Sequence, residues 1–161
     1  MFKAWIILGT NMGDKSQNLE NSIQMLAHET GKIGIKSSIY ESDSWGYDDT
    51  NYYNQVLEID TLFSPTELLE NVLEIEKKMG RTRKTGHVYE ARIIDIDILF
   101  YEDITIETNH LVIPHPKIAD RKFVLMPLCE IIPNYIHPIL KVSILEMLSA
   151  TSDKLKVKKI K

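Results

Sequence analysis

Residues 92–101 read RIIDIDILFY. Isoleucine, leucine and aromatics dominate the run, and its length suits a β-strand better than a helix. Successive side chains on a strand point to opposite faces. Asp95 and Asp97 therefore share one face, while Ile94, Ile96, Ile98 and Phe100 are expected on the other, against a core. The two aspartate Cα atoms would stand roughly 6.6 Å apart at the usual strand rise. Ile93 and Leu99, also on the aspartate face, are apolar, so that face is not simply a wetted one. Like charges held this close are unfavourable unless a cation compensates them.

The segments around this strand fix its setting. KAWIILGTN near the start reads as a first strand, and MGDKSQNLENSIQMLAHETG as a helix. Asp14 is placed to cap that helix, with Gln17 at the capping-box position and Gly31 at the stop. IGIKSSIYESDS reads as one second strand and NQVLEIDTLF as a third. SPTELLENVLEIEKKMG is a second helix, with Ser64 as cap, Pro65 first, Glu67 closing a capping box and Gly80 ending it. Leu68, Leu69, Val72, Ile75 and Met79 form its apolar stripe. With Asp95 and Asp97 on the last strand, the order is βαββαβ. That order predicts a ferredoxin-like α+β fold, a mainly antiparallel sheet packed by helices. A hairpin is expected around YEDITIE, then a helix in ILKVSILEMLSA and a short charged edge strand in KLKVKKIK. The absence of repeats or a linker predicts one domain over residues 1–161 with a C-terminal extension.

Composition narrows the function classes. The chain is 43% hydrophobic and 26% charged, as ordinary globular proteins are. No segment has the apolar length of a membrane span, and MFKAWIILGTN lacks a small-residue cleavage site. The cytoplasm is therefore the expected compartment, and no membrane partner is expected. The single cysteine, Cys129, excludes an intrachain disulfide and a multi-cysteine metal site. The net charge of −4 argues against a duplex nucleic-acid binder.

Hard oxygen ligands without nearby cysteine favour Mg²⁺, which takes one or two carboxylates and completes its shell with phosphate oxygens and water. The segment before the aspartates, GRTRKTGHVYEAR, carries Arg81, Arg83, Lys84 and Arg92, with Gly86 as a point of freedom. One such cation would read as solvated surface. Several leading into a carboxylate pair point to phosphate, which arginine grips bidentately. IPHPKIADRKFVL adds His115, Arg121 and Phe123. Asn54 and Glu76 are ambiguous on their own, since most such residues are surface or capping groups. LGTNMGD lacks the lysine and spacing of a phosphate-binding loop, so its glycines read as turn residues.

Taken together, LGTNMGD, YESDSWG, YYNQVLEIDT, IEKKMGRTR, RIIDIDILFY and IPHPKIADRKFVLMPL resemble the 6-hydroxymethyl-7,8-dihydropterin pyrophosphokinase family over nearly the whole chain. The resemblance implies transfer of the β,γ-pyrophosphate of ATP to the hydroxymethyl group of the pterin, with release of AMP, in folate biosynthesis. It implies Asp95 and Asp97 as ligands of two Mg²⁺ ions, and Arg81 and Arg92 as mobile catalytic arginines. Glu76, Arg83, His115 and Arg121 fall on the ATP side, and Tyr52, Asn54 and Phe123 in the pterin pocket with Trp45 at its rim. A monomer is expected. Tyr89-Glu90-Ala91-Arg92 departs from the Trp-Gly-Pro-Arg common in the family, and Ser44-Trp45-Gly46 lacks a proline common there. The rival classes are a ferredoxin-like binding module, such as a single-strand RNA binder or a regulatory domain, and another metal enzyme, a nuclease or nucleotidyl cyclase.

Overall fold

The computed structural model describes residues 1–44, 51–80 and 93–161. Strand β1 (Phe2–Thr10) leads into helix α1 (Lys15–Glu29), then β2 (Lys32–Lys36), β3 (Tyr40–Ser42) and β4 (Tyr52–Thr61). Helix α2 (Pro65–Lys78) and β5 (Asp95–Tyr101) complete the first half. There follow β6 (Ile106–Glu107), β7 (Val112–Ile113), a 3-10 turn (Ile118–Asp120), α3 (Lys122–Ile131), α4 (Ile144–Ala150) and β8 (Val157–Lys159). The main sheet runs β5-β1-β4-β3-β8, with β2 also on β4, and its pairs are antiparallel. Since β2 and β3 lie end to end along β4, the order is that of the ferredoxin-like fold. Among the described residues no helix is long and apolar enough to cross a membrane.

Helices cover both faces. On one, Leu19, Ile23 and Leu26 of α1 and Leu68, Val72 and Ile75 of α2 pack on Ala4, Ile6, Leu8, Leu57, Ile59 and Ile96. On the other, Val124, Leu125 and Leu128 of α3 and Ile144 and Met147 of α4 pack on Trp5, Ile7, Val56 and Leu99. Both early helix caps form as the sequence predicts. Asp14 accepts from the Gln17 amide, and Ser64 and Glu67 close a full capping box. Gln17 does not reach back; its amide bonds Asn21 instead, at 2.8 Å.

The structure departs from the expected strands in three places. The predicted second strand is broken at Ser37–Ile39. There the Ser37 hydroxyl accepts from the Val56 amide (2.9 Å), and the Gln55 side chain donates to the Ser37 carbonyl (2.8 Å), taking the place of ladder bonds. The hairpin turns later than expected, with Ile106 opposite Ile113 and the Thr108 hydroxyl accepting from the Leu111 amide at 3.0 Å. The third departure is a bulge. Trp5 pairs with Phe100 and Ile6 with Ile98, so Leu99 is an extra residue in β5. Ile94, Ile96 and Ile98 face α1 and α2 as predicted, but beyond the bulge Phe100 swings to the α3/α4 face. Strand β8 pairs with β3 as a charged edge, Ser42 opposite Val157.

His137 braces the segment between α3 and α4. Its Nδ1 accepts from the amides of Ile139 (3.1 Å) and Leu140 (3.0 Å), so the folded state needs that nitrogen unprotonated. Burial accordingly lowers its pKa below the ordinary 6.5. The unfolded chain then takes the proton more readily, so this stabilisation is present above pH 6.5 and is lost as pH falls through the folded value. Urea melts of the native chain should show stability dropping between pH 7 and pH 5. His137→Asn keeps an acceptor that does not titrate, and it should lose less over the same interval. Equal losses would remove His137 from the account.

Candidate active site

The site begins with the strand register. Asp95 of β5 lies opposite Gly9 of β1, Gly9 opposite Asn54 of β4, and Asn54 opposite Tyr40 of β3. Trp5 and Ile7 point to the α3/α4 face, so Gly9, two residues on, shares it. The next row inward is Asp97, Ile7 and Val56. Asp95 and Asp97 therefore stand on one face, as the alternation predicts. Asp97 is exposed and Asp95 half-buried, so the second helix layer leaves this end of the sheet open.

The segment leading into α3 closes one side. The backbone amide of His115 donates to the carbonyl of Leu99, the bulge residue, at 2.9 Å. His115 Nδ1 accepts from the Lys117 amide at 3.1 Å, which in a neutral ring leaves the proton on Nε2. Burial pushes the His115 pKa down; Asp97 opposes that, and Arg121 and Lys117 reinforce it. A neutral donor is thus held near the aspartates together with the Arg121 cation. The Arg121 guanidinium lies 5.7 Å from the centre of the Phe123 ring, which rests half-buried on the second core.

Across the sheet, Asn54 is buried, and its Nδ2 donates to the Tyr40 carbonyl (3.2 Å) and the Ser42 hydroxyl (2.8 Å). A carbonyl can only accept, so these bonds fix the amide nitrogen toward β3 and leave Oδ1 on the Gly9 side. Half-buried Tyr52 stands opposite Ser42. Glu76 approaches from the α2 layer: it is buried, and its Oε1 accepts from the Ile96 amide, between the two aspartates, at 2.8 Å.

The structure therefore brings Asp95, Asp97, His115, Arg121, Phe123, Tyr52 and Asn54 to one end of the sheet, with Glu76 behind it. Trp45, Arg81, Arg83, Arg92 and the altered Tyr89-Glu90-Ala91 segment lie outside the described residues. Sequence reasoning missed Ser42 and Gly9. Gly9 is not a turn residue; it continues the Trp5–Ile7 alternation, which was the signal available. Gly13, with φ 60°, is the turn glycine of that motif. Among the described residues no three or more His, Cys, Asp or Glu side chains gather around a common point. Two carboxylates on one face suit a Mg²⁺ ion whose remaining oxygens come from phosphate and water.

The comparisons agree on one family. Residues 5–133 match the family model described as 7,8-dihydro-6-hydroxymethylpterin-pyrophosphokinase (HPPK). A 2-amino-4-hydroxy-6-hydroxymethyldihydropteridine pyrophosphokinase of Bacillus subtilis is 42% identical over 130 residues, covering 80% of this chain and 77% of that protein. The protein of the same name from Aquifex aeolicus is 41% identical over 140 residues, with 86% of each covered. The folic acid synthesis protein FOL1 of Dictyostelium discoideum is 39% identical over 142 residues, and the chain spans only 21% of its length. The fold is similar to that of Plasmodium falciparum HPPK-DHPS solved with SDX-DHP, with a TM-score of 0.73 and 20% identity. That match covers 92% of this chain and 43% of the solved one.

Proposed function

The chain belongs to the 7,8-dihydro-6-hydroxymethylpterin-pyrophosphokinase family, and from that premise we propose how its site carries out pyrophosphate transfer from ATP to 6-hydroxymethyl-7,8-dihydropterin in folate biosynthesis. One observation carries the reading: two carboxylates and a buried, oriented carboxamide share one face of the sheet, Asp95 in the same row as Asn54 and Asp97 in the next. The pterin hydroxyl oxygen loses its proton to solvent and bonds to the β-phosphorus as the bond from that phosphorus to the AMP oxygen breaks, the electron pair leaving on AMP. Such a transfer needs positioning and charge neutralisation more than covalent help.

Asp95 and Asp97 would hold Mg²⁺, two ions in this reading. The metal supplies neutralisation of the triphosphate charge. Arg121 adds a cation on the same side, and neutral His115 offers its Nε2 proton to a phosphate oxygen. Arg81, Arg83 and Arg92 supply further cations for the phosphates. Glu76, through the Ile96 amide, steadies the strand on which both aspartates stand and so serves the nucleotide side. The Asn54 carboxamide meets the amide-like edge of the pterin, while Tyr52 and Phe123 offer stacking faces and Trp45 completes the rim. A pocket that pairs a substrate's polar edge rejects analogues that leave its groups unsatisfied.

The test is product analysis. Incubated with Mg²⁺-ATP and the hydroxymethyl pterin, the protein should release AMP and form the pterin diphosphate in equal amounts. Without the pterin, AMP should stay at background. AMP or pyrophosphate release that ignores the pterin would point to a nuclease or cyclase. No turnover with intact nucleotide binding would point to a binding module.

A further inference from the structure

We propose that Asp153 is a positioning residue of the site: its carboxylate, reaching back from the C-terminal segment, holds the Arg121–Lys122 peptide at the start of α3 and so sets Arg121 and Phe123 in place. This rests on the proposed function and adds a residue that acts on the substrates only through others. Asp153 Oδ2 accepts from the Lys122 amide at 2.8 Å, across 31 positions of sequence. Its Oδ1 accepts from the Leu155 amide at 2.9 Å, and its own amide donates to the Thr151 hydroxyl at 3.3 Å. The carboxylate is thus aimed by its own segment, and both of its oxygens are engaged. Asp153 lies beyond residues 5–133, the stretch that the family model matches.

A conflict at position 121 accounts for the arrangement. The first amides of a helix have no partner within it, and a side-chain oxygen at the N-cap usually supplies one. Asp14, Ser64 and Ser143 do this locally for α1, α2 and α4. The N-cap of α3 is Arg121, whose guanidinium can only donate, and its side chain makes no cap bond. An arginine for phosphate and a cap acceptor cannot occupy one position. Asp153 supplies the acceptor from outside, with a negative charge where the helix dipole favours one. The rest of α3 is fixed separately. Val124, Leu125 and Leu128 are buried on the sheet, and the Glu130 carboxylate accepts from the Tyr40 hydroxyl and the Ser38 amide. Loss of the Asp153 carboxylate would therefore loosen the first turn and leave the remainder of the helix seated. That turn carries Arg121 on the nucleotide side and Phe123 on the pterin side, so both ligands should be held more weakly.

The experiment compares wild type with Asp153→Ala and Ser143→Ala in the full chain, well below the melting temperature of all three. Each variant loses one helix-capping oxygen, but only Asp153 adjoins site residues. Asp153→Ala should lose fivefold or more in Mg²⁺-ATP affinity by calorimetry. Its KM for the pterin, at saturating Mg²⁺-ATP, should rise by as much. Its Lys122 amide should exchange hydrogen at least tenfold faster. Ser143→Ala should melt a few degrees lower and keep the wild-type value of all three. A smaller change in any of the three for Asp153→Ala overturns the proposal. So do matching changes in Ser143→Ala, which would reduce Asp153 to a stabilising contact. Asp153→Asn cannot accept from both amides, and it carries the same thresholds if the alanine variant does not melt cooperatively. A wild type that makes no pterin-dependent AMP would instead overturn the proposed function. The Mg²⁺-ATP and exchange results would still decide whether Asp153 holds the start of α3.

Discussion

Asp97→Ala is expected to lower pterin-dependent AMP formation by about a thousandfold while leaving the fold intact. Metal-assisted charge neutralisation is worth several kcal/mol, and each ~1.4 kcal/mol is a tenfold change in rate. Asp97 is exposed, so its removal opens no cavity in either core. It also relieves the repulsion between two carboxylates on one strand face. The apo protein should melt within a few degrees of wild type, and Asp95→Ala should behave in the same way. Raising Mg²⁺ should recover part of the lost rate if the remaining carboxylate still binds an ion weakly. Turnover within tenfold of wild type in either variant, at saturating ATP and pterin, would show that these carboxylates are not the metal site.

The parts of the fold that rest on local chemistry were readable from the sequence. Asp14, Ser64 and Glu67 cap where their side chains predict, because capping is settled within four residues. The strand order followed from element order, since βαββαβ leaves few topologies open. Helix α3 was not readable. Pro127 sits inside it and cannot donate the N–H that would reach the Phe123 carbonyl, so the segment looks broken. Burial of Val124, Leu125 and Leu128 against the sheet keeps it helical. The break after β2 depends on Gln55, a residue far along the chain whose side chain substitutes for a ladder bond.

The site divides along the same line. The shared face of Asp95 and Asp97 needed only strand alternation. Gly9 was legible in principle, but a glycine next to Thr10 and Asn11 reads as a turn until the register is known. Glu76 was ambiguous because a helix position two residues from Lys78 gives no sign of burial, and its partner is a backbone amide in β5. The approach of His115 to the aspartates passes through the Leu99 carbonyl, which the bulge turns toward it. An extra residue in one strand has no signature in a run as uniformly apolar as RIIDIDILFY.

That bulge yields the second large effect, a stability loss of about 3–5 kcal/mol for Phe100→Ala, the usual cost of emptying a fully buried phenylalanine site. Phe100 is 0% exposed. Its ring meets Trp5 edge-on at 6.3 Å, Tyr135 at 4.6 Å and His137 at 5.6 Å. The Tyr135 hydroxyl is tied to the Glu102 carbonyl at 2.7 Å, so the cluster cannot easily collapse into the space left behind. A domain's whole stability is typically about 5–15 kcal/mol, so the loss is a large share of it. Strict alternation would instead have put Phe100 on the other face, against α2 and the cluster that holds Leu68, and the two placements make different predictions. In urea-denaturation double-mutant cycles, Phe100→Ala paired with Tyr135→Ala should show a coupling of about 0.5–1.5 kcal/mol, the range for aromatic pairs. Paired with Leu68→Ala of α2, on the opposite face of the sheet, it should be additive within about 0.5 kcal/mol. Coupling to Leu68 and additivity with Tyr135 would mean that the bulge is absent in solution. It would also take away the Leu99 carbonyl that anchors His115, and with it the geometry on which the nucleotide side of the site depends.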